Sequence, residues 1–310
     1  MRAIGVMEFG GPEKLQVVDI PEPHPGPGEV RIRVHAAAVN PTDTALRAGL
    51  RRLEWPPPHI PGMDAAGVVS EVGEGVSWQV GDRVMAVVTP VRPGGGAYAD
   101  HIVVPAESVV RMPEGADFFA ASTLLMNALT ARLALDRLAL EPGQTVAVTG
   151  AAGAFGGYAV QLAKADGLRV VADASEADED LVRGLGADVV VRRGDDVADR
   201  IRAACPQGVD GLADGALLHD LVVPAVRDNG RMAVVRAWDG RPGRGIEVHR
   251  ILVTEALKDT AALDRLRRQA EEGVLTLRVA RVLPAEQAAE AHRLLEAGGV
   301  RGRLVLDFSS

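Results

Sequence analysis

A β-rich run, Thr145 to Thr149, leads into Gly150, Ala151, Ala152, Gly153, Ala154, Phe155 and Gly156, and an apolar helical pattern follows from Gly157 to Lys164. Small residues in that order let the backbone turn tightly and approach a pyrophosphate closely. The amides at the helix N-terminus then meet its negative charge. Spaced glycines carry little by themselves in a chain that has 35 of them. The context carries more: a strand before, a helix after and a second strand about 20 residues on form the setting such a turn requires. Gly150 to Gly156 therefore reads as a dinucleotide-binding loop.

The second strand, Arg169 to Ala172, ends beside Asp173, an acid placed to accept hydrogen bonds from an adenosine ribose, the pattern that favours NADH. Glu176, Asp178, Glu179 and Asp180 follow, and they repel a 2′-phosphate unless Arg183, Arg192 or Arg193 turns toward it. A structural account stands beside this one. Ser175 with Asp178 has the spacing of a capping box, and acids in a first helical turn are stabilised by the helix dipole whatever is bound.

The elements that must position these residues fall into two patterns. Before about Phe118, short strands alternate with Gly and Pro turns. Val30, Ile32 and Val34 alternate with Arg31 and Arg33, the period of a half-buried strand, and Gly67 to Val72 and Arg83 to Val88 repeat it. This predicts an antiparallel β domain. From Phe118 the pattern becomes helix and buried strand in turn: helix Ala120 to Leu135, strand Thr145 to Thr149, helix Gly156 to Ala165, strand Arg169 to Ala172, helix Ala177 to Leu185 and strand Asp188 to Val191. Right-handed crossovers make such a βαβαβ run a parallel, doubly wound sheet. Further strands are expected at Gly211 to Ala213 and Arg231 to Val235. The tail adds strand Leu277 to Leu283, helix Ala285 to Glu296 closed by Gly298 and Gly299, and strand Arg303 to Asp307.

Composition narrows the function classes. At 310 residues two domains are expected. A net charge of −8 argues against a general polyanion surface, and the densest arginines, Arg192, Arg193, Arg200 and Arg202, are interleaved with Asp195, Asp196 and Asp199 as on a solvated face. No nucleic-acid partner is expected. Cys205 is the single cysteine, so no thiolate cluster can hold a metal and no intrachain disulfide can form. Phe118 to Ala131, the longest charge-free apolar stretch, falls short of a spanning helix, and MRAIGVMEFGG lacks the pattern of a signal peptide. A soluble, cytoplasmic chain with no membrane partner is expected.

The stretches GEVRIRVHAAAVNPTD at 28–43, PGMDAAGVV at 61–69, GDRVMA at 81–86, GAAGAFGGYAVQLAK at 150–164, AEAHRLLEAG at 289–298 and RGRLVL at 301–306 span almost the whole chain. Together they resemble the medium-chain dehydrogenase/reductase superfamily in its zinc-free, zeta-crystallin-like quinone oxidoreductase branch. The resemblance implies an α/β protein: a Rossmann doubly wound parallel sheet at 119–261 plus a GroES-like antiparallel β domain made of 1–118 and the returning 262–310. It implies an active site in the cleft, NADPH with NADH as the alternative, and a homodimer formed through an edge strand.

Zinc-dependent relatives carry a Cys soon after the strand that here ends at Asn40, a His-Glu pair where this chain has Met63 and Asp64, and a lobe with four Cys; none of those cysteines is present. Hydride arriving on an acceptor leaves negative charge there, and without a metal the acceptor itself must delocalise it, as quinones and α,β-unsaturated carbonyls do. The resemblance puts Asn40 and Thr130 beside the nicotinamide, although Asn40 before Pro41 can also set a turn and Thr130 can bond its own helix. Asp64 can serve catalysis or an ion pair across the domains. Some relatives have a proton-donating Tyr where this chain has Arg51, which can clamp an oxygen but cannot release a proton near neutral pH. Arg193 falls where relatives often approach the 2′-phosphate, and with the family habit it favours NADPH. Two alternatives remain: an enoyl-thioester reductase of lipid or polyketide metabolism, and a nonenzymatic protein that binds or senses NADPH.

Overall fold

The computed structural model describes residues 1–50 and 53–309. The chain forms two compact units: Met1–Met126 with Ala256–Glu272 and Leu277–Ser310, and Asn127–Glu255 with Gly273–Thr276.

The first unit opens with an antiparallel pair, β1 (Arg2–Val6) and β2 (Leu15–Asp19). Then come β3 (Glu29–Ala38), α1 (Pro41–Arg47), β4 (Asp64–Val72), β5 (Arg83–Val87), β6 (His101–Pro105) and β7 (Val109–Arg111). Alternation explains β3: Val30, Ile32 and Val34 are buried, and the strand pairs antiparallel with both β4 and β6. A short helix, α2 (Phe118–Ala121), precedes α3 (Leu125–Leu138), along which the chain passes into the second unit.

In the second unit β8 (Thr145–Thr149), α4 (Ala154–Ala165), β9 (Arg169–Ala174), α5 (Glu179–Gly184), β10 (Val189–Arg192), α6 (Val197–Ala204), β11 (Val209–Asp214), β12 (Val226–Val234) and β13 (Glu247–Arg250) build one six-stranded sheet. Every pairing in it is parallel, in the order β10-β9-β8-β11-β12-β13. The chain starts at β8 and winds outward in both directions, so the strand order reverses between β8 and β11, the place where a doubly wound sheet opens its ligand crevice.

The chain returns to the first unit with α7 (Thr260–Glu271), β14 (Val279–Pro284), α8 (Ala288–Ala297) and β15 (Arg303–Asp307). β15 joins β3 antiparallel, while β14 lies parallel to β15, the single parallel pairing of the seven-stranded sheet among the described residues.

Several expectations shift. The helix expected over Ala120 to Leu135 is two helices, interrupted where the Ser122 and Thr123 hydroxyls donate back to the Phe119 and Ala120 carbonyls. The apolar stretch also extends further than its charge-free part: Phe118–Leu138 is long and apolar enough to cross a membrane by length and composition, yet 61% of its most apolar window is buried within the protein. Of the arginines and aspartates expected on a solvated face, Asp199, Arg200 and Arg202 lie on α6, whose Val197, Ala198 and Ile201 are buried, while Arg192, Arg193, Asp195 and Asp196 are exposed ahead of it. The first unit reaches Met126 rather than 118 because Asp64 holds the Met126 amide and Arg303 the Thr123 carbonyl. It resumes at Ala256 rather than 262 because Thr260 Oγ1 donates to the Glu107 carbonyl and α7 packs on β7.

Candidate functional site

In the second unit the strand β8 ends at Thr149, and the loop of Gly150, Ala151, Ala152 and Gly153 turns the chain into α4. Gly150 has φ +67°, a left-handed conformation that strains any residue with a Cβ. A Cβ on Gly156 would lie 2.3 Å from the Gly150 carbonyl oxygen, so the first turn of α4 closes on the loop only with glycine there. Gly153 is the N-cap and has no side chain to occupy the amides of Ala154 and Phe155 at the helix start. The donor set and the close-packed backbone suit a pyrophosphate.

Asp173, the penultimate residue of β9, is 4% exposed, and its Oδ1 accepts the Ala151 amide at 3.2 Å. Burial raises its pKa, against the pull of the Ala151 and Gly150 amides and of Arg193. The carboxylate thus supports the loop from beneath, at the strand end where a ribose acceptor is expected. Ser175 Oγ donates to Asp178 Oδ2 and makes no side-chain cap bond, the Asp178 amide going to the Ser175 carbonyl, so the pair is linked side chain to side chain and not as the capping box its spacing suggests. Arg193 follows β10, exposed, and its amide donates to the Ala174 carbonyl at the end of β9, so Arg193 and Ser175 stand side by side.

A residue that sequence reasoning missed completes this half. Asp214, fully buried at the end of β11, accepts the Thr149 hydroxyl at 2.7 Å, the Leu218 amide at 3.1 Å and the His219 amide at 2.8 Å. It holds a turn in which Leu217 and His219 both take left-handed φ, at 59° and 51°. The signal was an acid closing an otherwise apolar strand beside the loop strand. Thr130 lies partly exposed on α3 in this same unit.

In the first unit Asn40 caps α1, and its side-chain nitrogen donates to Asp64 Oδ2 at 2.9 Å and to the Ala38 carbonyl at 3.2 Å. Both amide hydrogens are thereby committed, and the side chain also takes part in a capping box with the Asp43 backbone. Asp64 Oδ1 accepts the Met126 amide at 2.8 Å, and Oδ2 also meets Arg303 Nη2 at 3.0 Å. The ion pair foreseen for Asp64 therefore exists, but inside the first unit and not across the domains. Arg303 also donates from Nε and Nη2 to the Val39 carbonyl and from Nη1 to the Thr123 carbonyl.

Beneath Asn40 lies a second carboxylate that the sequence did not single out. Asp43 is fully buried; it accepts the Asn40 amide at 2.8 Å, the Gly62 amide at 2.9 Å and the Tyr98 hydroxyl at 3.2 Å. Burial pushes its carboxyl up to about 7 despite those three donors. His292 Nε2 stands 3.3 Å from the Tyr98 hydroxyl, and burial, with the nearby Arg47 charge, takes the imidazole down to about 3.

Among the described residues no group of three or more His, Cys, Asp or Glu is arranged to hold a metal. Met63 is buried beside Asp64, and Cys205 is buried in the second unit with Arg169 Nη1 3.0 Å from its sulfur. Arg51 lies outside the described residues.

Two family models match: the alcohol dehydrogenase GroES-like domain over residues 26–114 and the zinc-binding dehydrogenase over residues 185–306. A quinone oxidoreductase of Sus scrofa is 32% identical, covering 99% of this chain and 97% of the relative. A mycobacterial protein solved in complex with NADPH superposes with a TM-score of 0.89 at 30% identity, over 99% of this chain and 100% of its own. An NAD-dependent alcohol dehydrogenase superposes with a TM-score of 0.88 at 33% identity, over 99% of each chain.

Proposed function

The chain belongs to the medium-chain dehydrogenase/reductase superfamily, among the relatives of the quinone oxidoreductases, and is an NAD(P)H-dependent oxidoreductase; on that premise we propose that it passes hydride from NADPH to a quinone or an α,β-unsaturated carbonyl without a metal. The observation that carries the metal-free half is the Arg303 guanidinium at 3.0 Å from Asp64. The acid that stands beside the metal position of the zinc enzymes is already neutralised by a cation of the protein. Met63 replaces the imidazole, and the chain's one cysteine is remote in sequence and buried.

NADPH, when bound, supplies the hydride. A zinc ion would add several kcal/mol of stabilisation to an alkoxide, whereas one hydrogen-bond donor adds about 3 to 4 kcal/mol at most, so the acceptor must spread the charge through its own conjugation. Within the protein, Gly150 to Gly156 would cradle the pyrophosphate. Asn40 and Thr130 would be the polar side chains nearest the nicotinamide, as the family resemblance implies. Water would return the proton. Arg193, with Asp173 turned inward, supports a 2′-phosphate and hence NADPH. β13, at the end of its sheet, offers the edge for a homodimer.

The test is steady-state reduction of 1,4-benzoquinone and of a simple enone, with NADPH and with NADH, before and after dialysis against a chelator. Turnover of at least one acceptor, unchanged by the chelator, is expected. Reduction of neither acceptor with either cofactor rejects the reading, and activity lost to the chelator and restored by zinc rejects its metal-free part.

A further inference from the structure

Two separate chain segments must meet to make the Asn40–Asp64 contact: the start of α1 and the turn 61–64 that enters β4. Gly62 has φ +108°, and a Cβ there would lie 2.6 Å from the Ala97 amide nitrogen, so the turn must press directly on the 96–98 backbone. One carboxylate spans the junction. Asp43 Oδ2 takes the Asn40 amide and Asp43 Oδ1 takes the Gly62 amide, at 2.8 and 2.9 Å.

The carboxylate is itself oriented from the returning tail. Tyr98 donates to Asp43 Oδ2, so the 3.3 Å contact of its oxygen with His292 Nε2 requires a proton on that nitrogen. The protons then run in one direction, His292 Nε2–H to Tyr98 oxygen and Tyr98 O–H to Asp43. Tyr98 and His292 are both fully buried, and His292 lies on α8, 194 positions from Tyr98 in sequence.

We propose that Asp43 is the positioning residue of the hydride-transfer site, fixing Asn40 relative to Asp64 through the two amides it binds, with Tyr98 and His292 setting the orientation of its carboxylate. The assignment rests on the reductase reading above for its catalytic consequence. It gives Asp43 no contact with the dinucleotide loop, so cofactor affinity and turnover should separate. An asparagine at 43 keeps the size but offers one accepting oxygen and an NH2 to pocket donors that all require acceptance, so one amide loses its partner.

The experiment compares D43N and Y98F with the wild type by acceptor kinetics, NADPH titration and amide hydrogen exchange. D43N should lower kcat by about tenfold to a hundredfold, with the NADPH Kd within about twofold, because small displacements of a positioned group cost that much. Exchange at the Asn40 and Gly62 amides should quicken about tenfold or more with the loss of a hydrogen bond to a charged acceptor. Y98F, which spares both amides, should change kcat and exchange in the same direction by less. Wild-type kcat and wild-type exchange in D43N overturn the proposal, as does a loss of NADPH affinity as large as the loss of kcat. If D43N does not fold, Y98F is judged on the same split. Should the wild type reduce neither acceptor, the reductase reading fails, while exchange at Asn40 and Gly62 still decides the clamp.

Discussion

Arg303 and Asp64 form an ion pair at 3.0 Å with side chains only 5% and 1% exposed, and among the described residues no other carboxylate pairs with the guanidinium. Burying two charges is costly, and the cost is offset only while both partners and their hydrogen bonds remain. Arg303→Met strands the Asp64 carboxylate and should reduce stability by about 3 to 5 kcal/mol in urea unfolding. Adding Asp64→Asn to it should recover part of that loss, since the uncompensated charge disappears. A loss for Arg303→Met within the roughly 1 kcal/mol of a surface pair would contradict the burial argument.

Much of this arrangement was readable because it is local. Strands Thr145–Thr149 and Arg303–Asp307 have the bounds that their apolar β-rich runs suggest, and the glycine loop follows from the residues on either side of it. The register of β3 follows from alternation of Val30, Ile32 and Val34 with arginines. What stayed hidden is tertiary. Asp43 meets Tyr98 across 55 positions and Tyr98 meets His292 across 194, and no local pattern marks a residue whose partners lie so far along the chain. Asp173 adds another such case: its place near a strand end is legible, but the bond one of its carboxylate oxygens makes to the Ala151 amide, 22 positions back, is not. α7 escaped notice because only Leu263 and Leu266 are buried in an otherwise charged helix.

Gly156→Ala tests the loop directly. The added methyl would come within 2.3 Å of the Gly150 carbonyl oxygen, and that atom is backbone, which can yield only by moving the loop. NADPH affinity should fall by about tenfold or more, as read from quenching or enhancement of cofactor fluorescence, because the amides leave the positions from which they meet the phosphates. Equal affinity for the variant and the wild type would show that this turn does not hold the diphosphate.

Arg193→Ala separates the two cofactors. The side chain is exposed next to Ser175 and carries no ion pair among the described residues, so its removal leaves the fold intact. A charge-assisted bond to a phosphate contributes about 1.5 to 3 kcal/mol, which is roughly tenfold to a hundredfold in NADPH dissociation constant. The NADH constant should stay where it is. Parallel weakening of both, or of neither, would remove Arg193 from the 2′-phosphate.

The buried pair of titrating groups gives opposite pH dependences that a single substitution can separate. Asp43 moves from 3.8 up to about 7 on folding, so between those values the folded chain binds more protons than the unfolded chain and stability falls as pH rises. His292 moves from 6.5 down to about 3, so across that interval the folded chain binds fewer protons and stability grows as pH rises. Between about pH 4 and 6.5 the two trends oppose each other in the wild type. His292→Gln keeps an N–H for the Tyr98 oxygen and removes the second trend alone. The stability of the wild type relative to this variant should therefore climb from pH 4 to 6.5, with a slope of at most about 1.4 kcal/mol per pH unit for one proton, and then level off. Urea unfolding of both proteins at half-unit steps measures it, and a difference that stays flat over that interval would mean that His292 is not held neutral by its burial.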